Sequence, residues 1–224
     1  MAVSRDAQNN RVYTFDLYGD LKFSDGSAIT AKDYAFSILL TASPELAKLG
    51  GQSAAVGAIL GMDAYQSGKS SVLRGVRLLS DTQMSITISK AYEPYFYEMA
   101  LFDYSPYPIS VLAPGCKVVD TEKGVCIVNA SGTGAAIFTA GLLQKTILDA
   151  ATGYMSHPSI VSGPYTLTRY DAQRGTASFA INPYYKGNEE GEKPTIETIV
   201  YRSVANDEAI DLLLSGEVDL LNKM

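Results

Sequence analysis

The run from Leu21 to Leu40, LKFSDGSAITAKDYAFSILL, constrains the fold more than any other, because it joins an extended segment, a turn and a helix start. Ser24, Asp25 and Gly26 supply the turn: an Asp side chain bonds the backbone ahead of it, and Gly takes positive φ freely. Thr30 then reads as a helix N-cap whose hydroxyl accepts from the amide of Asp33, and Asp33 places a carboxylate in the first turn, where the helix dipole favours it. Ala35, Ile38 and Leu39 follow at helical spacing, so one face is apolar and must pack on something. Upstream, Val12, Phe15, Leu17 and Leu21 lie in extended pieces bent at Gly19-Asp20.

A chain of 224 residues, 46% hydrophobic and 19% charged, has the composition of a globular protein with room for one large or two small domains. Its net charge of −6 and lack of a Lys/Arg cluster exclude a phosphate-binding face, so no nucleic-acid partner is expected. No apolar run approaches the roughly 20 residues of a membrane span, and the N-terminus carries no signal-peptide pattern. Met1-Ala2 reads as a translation start placed on an internal segment.

The two cysteines, Cys116 and Cys126 in GCKVVDTEKGVC, are too far apart for a CxxC motif, and the single histidine, His157, removes the usual companions of a metal site. No metal and no cofactor are expected. Val118-Val119 and Val125 with Ile127-Val128 are strand-like around a turn from Thr121 to Gly124. Two readings stay open for the thiols: a disulfide stapling that hairpin, which would place the protein outside the cytoplasm, or two free cysteines. The run ASGTGAA, from Ala130 to Ala136, lacks the lysine of a phosphate loop. Ile137 occupies the third glycine position of a dinucleotide fingerprint, which leaves a plain loop. His157 precedes Pro158, which favours an extended turn residue over a catalyst.

Along the rest of the chain, Val72–Leu79 and Met84–Ile88 read as a half-buried hairpin, Met84, Ile86 and Ile88 alternating with Ser85, Thr87 and Ser89. A short helix is expected from Pro94. Thr139 caps a helix with Leu142, Leu143 and Ile147 inward, ending near Gly153. Tyr165–Tyr170 and Ala177–Ile181 form a hairpin stopped by Asn182-Pro183. Thr195–Val204 reads as a strand. Asn206 then caps a helix that turns Ile210, Leu213 and Leu214 inward, and EVDLL resumes a strand. Asp207 and Glu208 are helix-start charges, since neighbours on a helix point apart and make no catalytic pair.

Four of these blocks, YTFDLYGDLKFSDGSAITAKDYAFS, PYFYEMA with SPYPIS, SGPYTL with NPYYKG, and IETIVYRSVANDEAIDLLLSGEVDLL, stand in the order seen in a known family. The chain resembles the extracellular solute-binding proteins of oligopeptide, dipeptide and nickel ABC importers. The resemblance implies a mixed α/β, periplasmic-binding-protein-like fold of class II, of which this chain is part of the first lobe. Residues 1–158 would form the first-lobe subdomain and 159–224 the return into the main sheet, a β-hairpin then β-α-β, ending near the hinge. It also implies a monomer outside the cell, tied to the membrane only by a lipid anchor beyond this chain. That monomer captures oligopeptides or dipeptides in a cleft that closes between two lobes, and permease subunits recognise the closed form. Candidate ligand contacts on this chain are Phe102, Tyr104, Tyr107, Ser162, Gly163 and Asn222, with core packing the alternative for the tyrosines.

Near Val56 some peptide binders present a tyrosine. Its absence here leaves a nickel complex, a sugar or another small solute open, and a cell-surface adhesion module on the same fold is a further alternative. An enzyme is not expected, because the chain has no G-x-S-x-G, H-E-x-x-H or second histidine.

Overall fold

The capping signal at Thr30 does what its chemistry demands. In the computed structural model, which describes residues 1–51, 57–93 and 98–222, helix α1 runs from Ala31 to Thr41 behind a closed capping box. The Thr30 amide donates to Asp33 Oδ2 at 2.8 Å and the Thr30 hydroxyl accepts from the Lys32 amide at 3.3 Å. The helix is buried on more than one face: Ala31, Ala35, Phe36, Ile38 and Leu39 are all fully buried. It is therefore the centre of the core, packed against strands on one side and the later hairpin on the other.

Around it stands a four-stranded antiparallel sheet in the order β1-β2-β4-β3, made of Ala2–Arg5, Arg11–Asp16, Gln83–Ile88 and Val76–Leu78. The expected hairpin is present with a shorter first strand, and β1 was not anticipated. The half-buried reading of the second strand is corrected: Ser85 and Thr87 are buried along with Met84, Ile86 and Ile88. As a central strand, β4 has neighbours on both edges, and the Leu60 amide donates to the Thr87 carbonyl at 2.9 Å. Short helices α2 (Pro44–Ala47) and α3 (Met62–Gln66) and 3-10 turns at Lys90–Tyr92 and Glu98–Phe102 fill the connections. The helix start expected at Pro94, and Val56, lie outside the described residues.

Helix α4 (Ile109–Leu112) leads into a hairpin of β5 (Cys116–Thr121) and β6 (Gly124–Asn129), as the β-branched runs required. Its register overturns the disulfide. Cys126 lies opposite Val119 and Cys116 opposite Asn129, so the two cysteines are offset by three residues and point to opposite faces. Three residues of strand span about 10 Å, beyond the reach of an S–S bridge. Both thiols are free and buried, and burial pushes each above its ordinary pKa.

Thr139 caps α5 (Ala140–Leu143), its hydroxyl accepting from the Leu142 amide at 3.2 Å. The chain then widens into a π turn over Gln144–Leu148, so the helix stops short of Gly153. Leu143 and Ile147 are buried as read.

The chain closes with a three-stranded antiparallel meander of β7 (Tyr165–Asp171), β8 (Thr176–Ile181) and β9 (Thr198–Arg202), followed by α6 (Ala209–Leu214). Three expectations are corrected here. Helix α6 starts two residues later than Asn206 would place it, with no side-chain cap; Ile210, Leu213 and Leu214 point outward, at 55%, 40% and 80% exposure; and the EVDLL segment forms no strand among the described residues. The helical period was right about which residues share a face. The surface that face would cover is not supplied by the described residues.

Candidate functional site

Two sequence blocks that are far apart in the chain meet in one seam. The Ser24 amide donates to the Val161 carbonyl at 2.8 Å, and the Val161 amide donates back to Ser24 Oγ at 3.0 Å. Gly26 sits at φ +85°, and the Tyr184 ring lies where its Cβ would be, 3.1 Å from Cζ. That close approach, together with the positive φ, favours glycine. Lys186 ion-pairs with Asp20 and holds the Asp20 carboxyl below its ordinary value. Lys22 places its ammonium 5.7 Å from the centroid of the Tyr184 ring.

Asn182 organises the far side of the seam. It is 1% exposed; its Nδ2 donates to the Gly163 carbonyl at 2.9 Å and its Oδ1 accepts from the Tyr184 amide at 3.0 Å. Sequence reasoning took Asn182-Pro183 only as a strand stop. A buried asparagine that satisfies both neighbouring loops is the stronger reason for that residue.

Two cavities open beside this seam, and Tyr34 lines both. The first, of about 90 Å³, is apolar and is walled by Phe15, Leu17, Ile38, Met84, Ile86, Phe102 and Tyr104. Phe102 sits edge-on to Phe15 at 5.2 Å and tilted against Tyr13 at 4.7 Å, which fixes its ring. The Tyr104 hydroxyl is buried without a hydrogen-bond partner among the described residues, and burial raises its pKa. The second cavity, of about 200 Å³, is the more polar of the two and includes Lys22, Pro106, Ser162, Tyr184 and Lys186.

The candidate contacts thus fall in different places. Phe102 and Tyr104 share the apolar cavity, and Ser162 lines the polar one. Tyr107 lines neither: its amide donates to Ser37 Oγ at 2.9 Å and its ring meets Tyr154 edge-on at 6.4 Å. The Tyr154 hydroxyl in turn donates to the Ile160 carbonyl at 2.6 Å, and burial pushes its pKa up to about 12. Gly163 contributes a carbonyl already engaged by Asn182, and Asn222 is exposed beyond α6, away from both cavity linings. Tyr34, Lys22 and Tyr184 were not singled out as site residues. Their only sequence signal was membership of the two motif blocks that interlock here. His157 is half-buried with its ring edge-on to Tyr170 at 5.5 Å, and no cluster of metal-ligating side chains occurs among the described residues. No helix among them is long and apolar enough to cross a membrane.

Known proteins share this fold. An oligopeptide-binding protein, OppA, of Lactococcus lactis subsp. lactis is 27% identical over 215 residues, 94% of this chain and 30% of its own length. A dipeptide-binding protein of Lactococcus lactis subsp. cremoris is 34% identical over 51% of the chain and 19% of its own. Among solved structures, lactococcal OppA complexed with an endogenous peptide in the closed conformation superposes with a TM-score of 0.68 at 22% identity, covering 99% of this chain and 35% of that one. The chain spans about a third of the length of these full-length relatives. The family described as bacterial extracellular solute-binding proteins, family 5, middle, matches residues 1–224 from end to end, and the chain belongs to that family.

Proposed function

We propose that this chain is the first-lobe part of the substrate-binding component of an ABC importer, which captures oligopeptides or dipeptides outside the cell and delivers them to membrane permease subunits. The observation that carries this reading is the match to oligopeptide-binding proteins along 94% of the chain. The geometry supports it with an apolar cavity of side-chain size, walled by aromatic rings, and a polar cavity next to it. Such sites bind by contact and closure and perform no chemistry on the solute. In this reading residues 1–158 form the first-lobe subdomain and residues 159–224 return the chain toward the hinge. The protein works as a monomer, at the cell surface or in the periplasm, held to the membrane by a lipid anchor outside this chain. Phe102 and Tyr104 are the residues of this chain best placed to meet an apolar side chain of the solute.

The division of labour between lobes gives the test. If a second lobe supplies half the apolar contact of a small ligand, about 150 Å², its absence removes roughly 4 kcal/mol at 25 cal/mol per Å². That is nearly a thousandfold in affinity, while the ordering cost of binding does not shrink in proportion. Calorimetry with one peptide library on this chain and on the gene product that contains it should show micromolar or tighter binding only by the latter. Micromolar binding by this chain alone would refute the two-lobe reading, and no peptide binding by the gene product would refute the peptide.

A further inference from the structure

The polar cavity holds more positive charge than its own fold neutralises. Asp20 ion-pairs with Lys186 and also feels the Lys22 ammonium, so one carboxylate serves two cations; Lys22 makes no ion pair of its own among the described residues and lies over the Tyr184 ring. An ammonium on an aromatic face keeps its hydrogen-bond donors for a third party. Two hydroxyls line the same space. That of Tyr34 has no hydrogen-bond partner in the described protein, and that of Ser162 makes only a long contact, 3.4 Å, to the Pro106 carbonyl. The cavity is thus rich in donors and sets two lysines, Lys22 and Lys186, against the single carboxylate of Asp20.

We propose that this cavity, between the Leu21–Ile29 turn and the Tyr184–Gly187 loop, is a binding subsite for the carboxylate of a small organic acid. Lys22 supplies the charge, and the Tyr34 and Ser162 hydroxyls act as donors. A carboxylate is acceptor-only, with two oxygens that take several donors at once, and a charged partner makes those bonds short and strong. The cavity volume, about 200 Å³, admits the carboxylate with a few carbons, which the faces of Tyr184 and Tyr34 cover. The acid's source is either a free small molecule or the C-terminus of a short peptide. The inference goes beyond solute capture between lobes and does not rest on it, since every named residue lies in this chain.

Amide-resolved NMR of the 224-residue chain tests it, with sodium butyrate, N-acetylleucine and the dipeptide Gly-Leu as carboxylates. Butyramide serves as the uncharged counterpart, and sodium chloride is matched for ionic strength. Saturable shifts confined to Lys22, Ser162 and Tyr184–Gly187 are expected with carboxylates and absent with butyramide. Lys22→Met should weaken binding at least tenfold and Lys22→Arg by less than threefold, and unshifted sheet resonances show that both variants are folded. Binding of Gly-Leu alone assigns the carboxylate to a peptide terminus, and binding of butyrate as well assigns it to small acids; either supports the subsite. Equal shifts with butyramide, unchanged binding in Lys22→Met, or inorganic phosphate binding more tightly than any carboxylate would overturn it. Peptide capture by the gene product is read in a separate experiment, so the two proposals fail independently.

Discussion

Gly124→Ala is expected to be among the costliest single-methyl additions in the chain. Gly124 opens β6 at φ +126°, and a Cβ built there would lie 2.2 Å from the Leu73 carbonyl oxygen and 2.8 Å from Arg74 Cα. Both are backbone atoms, so no side chain can swing aside, and the first contact is more than about 1 Å short of van der Waals distance. Relief requires the hairpin to lift off the Leu73 segment. Two backbone bonds hold it there, Leu73 N–H to Val125 O at 2.9 Å and Val125 N–H to Leu73 O at 3.2 Å, between two fully buried side chains. Losing both costs about 2 kcal/mol, and holding a non-glycine residue in this region of φ adds about 1–3 kcal/mol. The total is about 3–5 kcal/mol, or roughly a 10 °C drop in Tm for a chain this long.

Gly132→Ala is the control, because φ there is +77° with nothing within 4 Å of the added carbon. It should cost only about 1 kcal/mol, the price of the backbone conformation alone. Urea unfolding of both variants at constant m value separates clash from conformation. A Gly124→Ala midpoint within error of Gly132→Ala would show that the hairpin does not press on the Leu73 segment as described.

Three further outcomes are expected. Burial pushes the Asp33 carboxyl above its ordinary value of 3.8 against the bonds from Thr30. The folded state therefore holds this proton more tightly than the unfolded one, and the group's stabilisation is greatest below 3.8 and declines as pH rises through its raised value. Asp33→Asn should flatten that decline in urea midpoints taken between pH 3 and 7, whereas Thr30→Ala should cost about 1 kcal/mol throughout; a steeper decline in Asp33→Asn would refute the sign. Cys116 and Cys126 should label slowly in the native protein and both react on unfolding without reductant, and an unreduced unfolded chain with neither thiol reactive would restore the disulfide. In hydrogen exchange, amides of β7–β9 and α6 should exchange faster than those of β2 and β4, whose side chains are the more buried; equal protection would mean the meander is covered in solution.

What was legible in the sequence was whatever neighbours in the chain decide. Thr30 and Asp33 close their box within three residues, Val118-Val119 and Ile127-Val128 pair across a tight turn, and Thr139 caps its helix without help from elsewhere. Reading failed where tertiary partners decide. Ser85 and Thr87 look like the wet side of a strand, yet in the folded chain both faces of β4 are covered. The cysteines are a different case: spacing alone made Cys116 and Cys126 a plausible pair, although the Thr121–Gly124 turn read from the sequence already sets the register that puts one against Asn129 and the other against Val119. A one-residue parity difference sends side chains to opposite faces, and parity depends on where the turn falls.

The site shows the same division in a sharper form. The SDG turn and the NPYYKG segment each carried a local explanation, a bend and a strand stop, and each explanation was incomplete. Gly26 is glycine because Tyr184 rests on it, and Asn182 is asparagine because Gly163 and Tyr184 both need its side chain. Resemblance located both blocks without showing that they touch, since no periodicity links residues so far apart. At α6 the pattern was true and its inference was not: Ile210, Leu213 and Leu214 do share one helix face, yet all three remain exposed. Helical spacing reports which face favours burial, and only a second surface can bury it. The buried core around α1 and the open meander of β7–β9 with α6 are therefore unequal in what they require: the first is covered by its own neighbours, and the second carries apolar side chains that the described residues leave bare.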